Sequence, residues 1–155
     1  MKGLDMTTVK NSAYDYALLI KRELLALDTL LENWGDVAGY SPNDMSPDID
    51  PDTHAGIVHA ISELELEWPT GDSDLVSDYL NDTCLELTVL RADSDRDRAR
   101  IEILRTCGGP RCDITRDTNA GDMVEIVVHD GRDSSTIRVS VGTLAASLDE
   151  LAGCY

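Results

Sequence analysis

The sequence predicts an α+β protein, with N-terminal helices packed against a C-terminal antiparallel sheet of four to five strands and a final helix. Three observations predict it. Apolar residues recur every three to four positions up to about residue 83 and every two positions from Cys84 onward. Gly-, Pro- and Asp-rich turn signals separate the alternating segments. Charge divides at the same place: residues 1–83 hold 17 acids against four bases, net −13, and residues 84–155 hold 13 acids against nine arginines, net −4. The halves 1–83 and 84–155 are read as parts of one compact domain of 155 residues.

The first helix rests on Ala13, Ala17, Ile20, Leu24, Leu27, Leu31 and Trp34, a heptad-type seam widened by Leu18, Leu19, Leu25 and Leu30. Thr7 or Thr8 caps its start and Gly35 stops it. Two uses of the seam stand open, a core stripe or a homodimer contact. A loop with Pro42 and Pro47 follows. A second helix then starts with Asp50 as N-cap and Pro51 in the first position, buries Ala55, Val58, Ile61, Leu64 and Trp68, and ends at Pro69. Within it Glu63-Leu64-Glu65-Leu66-Glu67 alternates with period two, so a strand edge is the rival for that piece. A third helix over 73–81 buries Leu75, Val76, Tyr79 and Leu80.

Strands follow at Leu85–Val89, Ile101–Leu104, Val124–Val128 and Ile137–Val141, and a helix from Thr143 to Leu151 closes the chain. The turns are expected at 93–97, Gly108-Gly109-Pro110, 119–121 and Asp130-Gly131. Strand arginines face turn aspartates, so this half largely neutralises itself. Cys107 and Cys112 flank the Gly-Gly-Pro-Arg turn as reduced cross-strand neighbours.

Composition and motifs exclude several functions. A net charge of −17 and a pI near 4.2 argue against direct contact with nucleic acid or an anionic membrane. Neither a signal-peptide core nor 18 consecutive apolar residues occurs, so an intracellular, soluble protein of the cytoplasm is expected. No metal or cofactor is expected. Asp48, Asp50 and Asp52 imitate the start of a calcium loop, but its sixth and twelfth places hold Thr53 and His59. Cys107 and Cys112 lack zinc-knuckle spacing. Phosphate loops, nucleophile elbows and H-E-x-x-H are absent, and all lysines lie before residue 22, so no enzyme is indicated. His54 and His59 point apart on a helix, and His129 ends a strand; all three read as capping or surface groups.

The acidic half carries the functional signal. From Glu23 to Leu90 there are 16 acids and neither lysine nor arginine. A dense carboxylate face can occupy a basic groove built for duplex DNA, whose axial charge spacing is about 1.7 Å. The expected contact residues are Asp44, Asp48, Asp50, Asp52, Glu63, Glu65, Glu67, Asp72, Asp74, Asp78 and Asp82, with Glu23, Asp28 and Glu32 next. Adaptation to high salt is the competing account, since Asp (21) exceeds Glu (9) and Arg exceeds Lys; its weakness is that it should acidify both halves. A structural or adaptor role (antitoxin-like, or a virion assembly factor) through the Ala13–Trp34 helix is a further alternative.

The run Ile103-Leu104-Arg105-Thr106-Cys107-Gly108-Gly109-Pro110-Arg111-Cys112-Asp113-Ile114 resembles the Gly-Gly-Pro hairpin of small plasmid and phage proteins, neighbours of anti-restriction and anti-CRISPR genes. The likeness spans Arg98 to Leu151 at most, and Val124–Val128 replaces the family's aromatic strand. It implies a non-enzymatic inhibitor from a mobile element. The partner would be a CRISPR effector subunit or a restriction enzyme, blocked at its nucleic-acid site.

Overall fold

The computed structural model describes residues 12–37, 49–69, 74–91, 99–106 and 110–153. The fold is α+β. Helices α1 (Ala13–Glu32), α2 (Pro51–Glu63) and α3 (Leu75–Thr83) precede strands β1 (Glu86–Arg91), β2 (Ala99–Thr106), β3 (Arg111–Asp117), β4 (Met123–Asp130) and β5 (Asp133–Ser140), and helix α4 (Gly142–Gly153) follows. A single helical turn, Trp34–Val37, trails α1. The strands form one antiparallel meander in sequence order, β1-β2-β3-β4-β5.

Period two along each strand sends alternate side chains to opposite faces. Ala99, Ile101 and Ile103 of β2, Cys112 and Ile114 of β3, and Val124, Ile126 and Val128 of β4 are all buried on one face. Helix α1 lies over β4 and β5 on this face, and α4 over β2 and β4. Helix α2 packs on α1, and α3 on α1 and α4. The seam of α1 is part of this core: Ala13, Ala17, Ile20, Leu24 and Leu27 are each at most 2% exposed.

The turns obey local chemistry. The β4–β5 hairpin closes between Asp130 and Asp133, with Gly131 at φ 63°, the left-handed first position that a type II′ turn requires. Helix α2 takes Asp50 as N-cap and Pro51 in its first turn, as expected.

Several details depart from the sequence reading. Ser12, not Thr7 or Thr8, caps α1, accepting the Asp15 N–H at 3.0 Å; both threonines lie outside the described residues. Helix α1 ends at Glu32, and Gly35 sits within the next helical turn rather than stopping the first helix. Ala55 and Val58 are exposed, because α2 turns Ile57, Ala60 and Ile61 toward α1 instead. The Glu63–Glu67 alternation is neither strand nor continued helix. It is a helix terminator: Leu66 N–H bonds the Ile61 carbonyl, Glu65 N–H bonds that of Ser62, and Glu65 stands at φ 54°. That is a Schellman motif with glutamate in the place glycine prefers. Helix α3 starts at Leu75, capped by Asp74, two residues later than expected.

At the β2–β3 hairpin the ladder partner of Cys112 is Thr106, with a register shift between Leu104 and Thr106. The bulge shifts the partner of Cys112 from Arg105 to Thr106, one residue short of the expected Cys107, which lies outside the described residues.

Candidate functional site

Among the described residues five sheet arginines pair with acids carried by strands or helices, and Arg91 donates to the Ala152 carbonyl; the turn expected at 93–97 lies outside the described residues. On the face away from the helices, Arg100 pairs with Glu102, Arg111 with Asp113 and Arg138 with Glu125, all within strands. On the helical face two arginines reach into the helices. Arg116, 3% exposed, forms a two-pronged pair with Asp149 of α4 at 3.0 and 2.9 Å and also donates to the Met123 carbonyl. Arg105 meets Glu23 of α1 at 3.0 Å and lies over the Tyr79 ring, whose hydroxyl bonds Glu23. Burial first, then the Glu23 charge, hold the Tyr79 phenol far above its ordinary pKa, so it stays protonated.

These contacts remove several acids from the expected contact face. Glu23 is neutralised by Arg105. Asp28 is buried and accepts the Leu144 N–H of α4 at 2.8 Å, supplying from α1 the cap that apolar Val141 cannot give. Asp133 does the same for α1, accepting the Ala13 N–H at 2.8 Å. Glu63 pairs with Arg22 at 2.6 Å, and this bond is the main cause of its lowered pKa. The premise that carboxylates between residues 23 and 90 lack counter-charges therefore fails at Glu23 and Glu63. It fails because the bases that bind them, Arg105 and Arg22, stand outside that stretch of sequence.

The remaining candidates divide by position. Asp44, Asp48 and Asp72 lie outside the described residues. Asp50 and Asp74 are occupied as N-caps, by Thr53 and Ser77 N–H respectively; the Thr53 hydroxyl, at 2.7 Å, is the largest cause of the lowered Asp50 pKa. Asp52 and Glu65 are exposed at the two ends of α2.

Glu67, Asp78 and Asp82 come together. They line a groove of about 450 Å³ with Asn81 and an apolar floor of Leu66, Trp68, Pro69 and Leu75. The cap turns the chain after α2 so that Leu66–Pro69 runs beside α3, whose spacing of four places Asp78 and Asp82 on one stripe. The Trp68 indole is fixed by its N–H to the Val37 carbonyl at 2.8 Å. The carboxylates of Glu67, Asp78 and Asp82 have no hydrogen-bond or ion-pair partner among the described residues, and no described lysine or arginine lines the groove.

Sequence reasoning missed the apolar floor, because it assigned Trp68 and Leu64 to the buried face of one long helix. It also missed the half-buried His54, whose ring lies 6.4 Å from Trp68 and whose Nε2 is buried with no partner among the described residues. The proline at 69 and the glutamate cluster just before it were the only signals that α2 stops early.

Among the described residues no three His, Cys, Asp or Glu side chains converge as metal ligands, and no helix is long and apolar enough to cross a membrane. Compared with known proteins, the chain matches no family model, no curated protein and no solved structure.

Proposed function

We propose that the protein is a non-enzymatic inhibitor that occupies the nucleic-acid site of a basic partner by presenting carboxylates in place of phosphates. The observation that carries the reading is the groove beside α3, where the carboxylates of Glu67, Asp78 and Asp82 come together with no partner among the described residues, while Asp74 is a cap and Glu63 is paired. Carboxylates of α3 and of the segment before it are ready acceptors for the arginines and lysines of a phosphate-binding surface. With a net charge of −17, association would be steered and fast. The Gly-Gly-Pro hairpin points to a mobile element, and so to a CRISPR effector subunit or a restriction enzyme in the host cytoplasm as the partner. An adaptor role through α1 would have to use its outer residues Tyr14, Leu19 and Leu25, since Ala13, Ala17, Ile20, Leu24 and Leu27 of the seam are core.

The test is a binding titration against such nucleic-acid-free complexes at rising salt. Affinity should fall at least ~100-fold between about 50 and 200 mM salt, as phosphate contacts do, and duplex DNA should compete. Binding indifferent to salt and to competing DNA would sink the proposal.

A further inference from the structure

Resting on the reading that the partner is basic, we propose that the groove beside α3 is a seat for a partner arginine side chain, not for a generic cation. The apolar residues that line the groove are buried or half-buried and its carboxylates are exposed. Leu66, Trp68, Pro69 and Leu75 form its floor, and Glu67, Asp78 and Asp82 line it with them. That combination matches the two ends of one residue. Arginine has an aliphatic stem that packs on apolar surface and a planar, weakly hydrated guanidinium that stacks on indole and pairs with carboxylates through two parallel N–H bonds. Lysine offers a compact, strongly hydrated charge, which gains little from an indole wall and would have to shed water to enter.

Two features of the structure support the choice. Trp68 is held in place by its own N–H bond to Val37, so its ring is fixed before any ligand arrives. The protein also builds the same motif internally: Arg105 lies 5.7 Å over the Tyr79 ring while pairing with Glu23. The groove presents the aromatic and acidic parts of that arrangement with the arginine left to be supplied. Charge complementarity fixes the occupant as cationic, and the aromatic floor selects guanidinium over ammonium.

The experiment compares nona-arginine with nona-lysine as probes, binding to the full chain at equal ionic strength, alongside three variants. Nona-arginine should bind about tenfold tighter than nona-lysine, the difference that a stacked, bidentate contact supplies. The pair Asp78→Asn and Asp82→Asn should weaken nona-arginine about tenfold, while Glu86→Gln with Asp130→Asn, an equal charge change away from the groove, should alter it less than twofold. Trp68→Leu should bring the Arg-to-Lys ratio toward one; if that variant misfolds, the asparagine pair still decides. Equal affinity for the two probes, or an equal loss in both pairs of charge variants, would overturn the arginine seat while leaving polyanion mimicry standing. Failure of the partner complexes in the salt titration would overturn mimicry separately, and failure of both peptides to bind would remove the seat.

Discussion

Single residues carry more of the organisation than their type suggests. Asp28 reads from sequence as one more surface acid, yet it is buried and caps a helix 116 residues away. Asp28→Ala should cost about 1–3 kcal/mol, because it strands a buried N–H at a helix start; urea unfolding monitored by circular dichroism measures it. Arg116→Met leaves Asp149 without its partner and should cost about 3 kcal/mol, with Arg116→Met/Asp149→Leu recovering much of that loss. Cys112 is fully buried, and desolvation pushes its thiol up to about 11 from an ordinary 9.0. A thiol harder to ionise in the folded state contributes stability that is complete below pH 9 and lost as pH rises toward 11. Unfolding midpoints followed from pH 8 to 11 should therefore fall over that window, and Cys112→Ala should flatten the fall. None of these roles was visible in the sequence, since each depends on a partner set by the fold rather than by spacing.

At the scale of elements the sequence was far more informative. Period two located β1, β2, β4 and β5, but not β3, where Ile114, Thr115 and Arg116 are buried in succession; Asp50-Pro51 announced the start of α2 because cap chemistry is local. The end of α2 was hidden. Ile61, Leu64 and Trp68 keep helical spacing across a point where the chain already leaves the helix, and only Pro69 and the Glu63–Glu67 alternation object. The terminator places Glu65 at φ 54°, where a side chain is strained. Glu65→Gly should raise stability by about 0.5–1 kcal/mol, read from the urea midpoint, because relief of that strain exceeds the added freedom of the unfolded chain. The groove beside α3 depends on this exit, which is why its acids were legible and its apolar floor was not.

For the whole molecule the dominant quantity is the charge. The division at residue 83 is real in the sequence, but the fold blurs it by sending Arg105 back to Glu23 of α1. What survives is a narrower anionic region than the count of 16 acids suggests. Self-repulsion at −17 should make added salt stabilising, so the thermal midpoint should climb between about 20 and 500 mM NaCl as the Debye length shrinks. The core of Ile, Leu and Val is nonetheless continuous through helices and sheet, so the native fold should persist at the low end of that range. A chain that unfolds there would instead show the behaviour of a salt-adapted protein.

The two reciprocal caps also set a timetable for synthesis. The Asp28 and Ala13 contacts close loops of 116 and 120 residues, so α1 leaves the ribosome long before either partner exists. At about 5–20 residues per second, the wait for Leu144 is roughly 6 to 23 s. During it an amphipathic helix stands with its apolar stripe uncovered, a target for chaperones until the last segment is made.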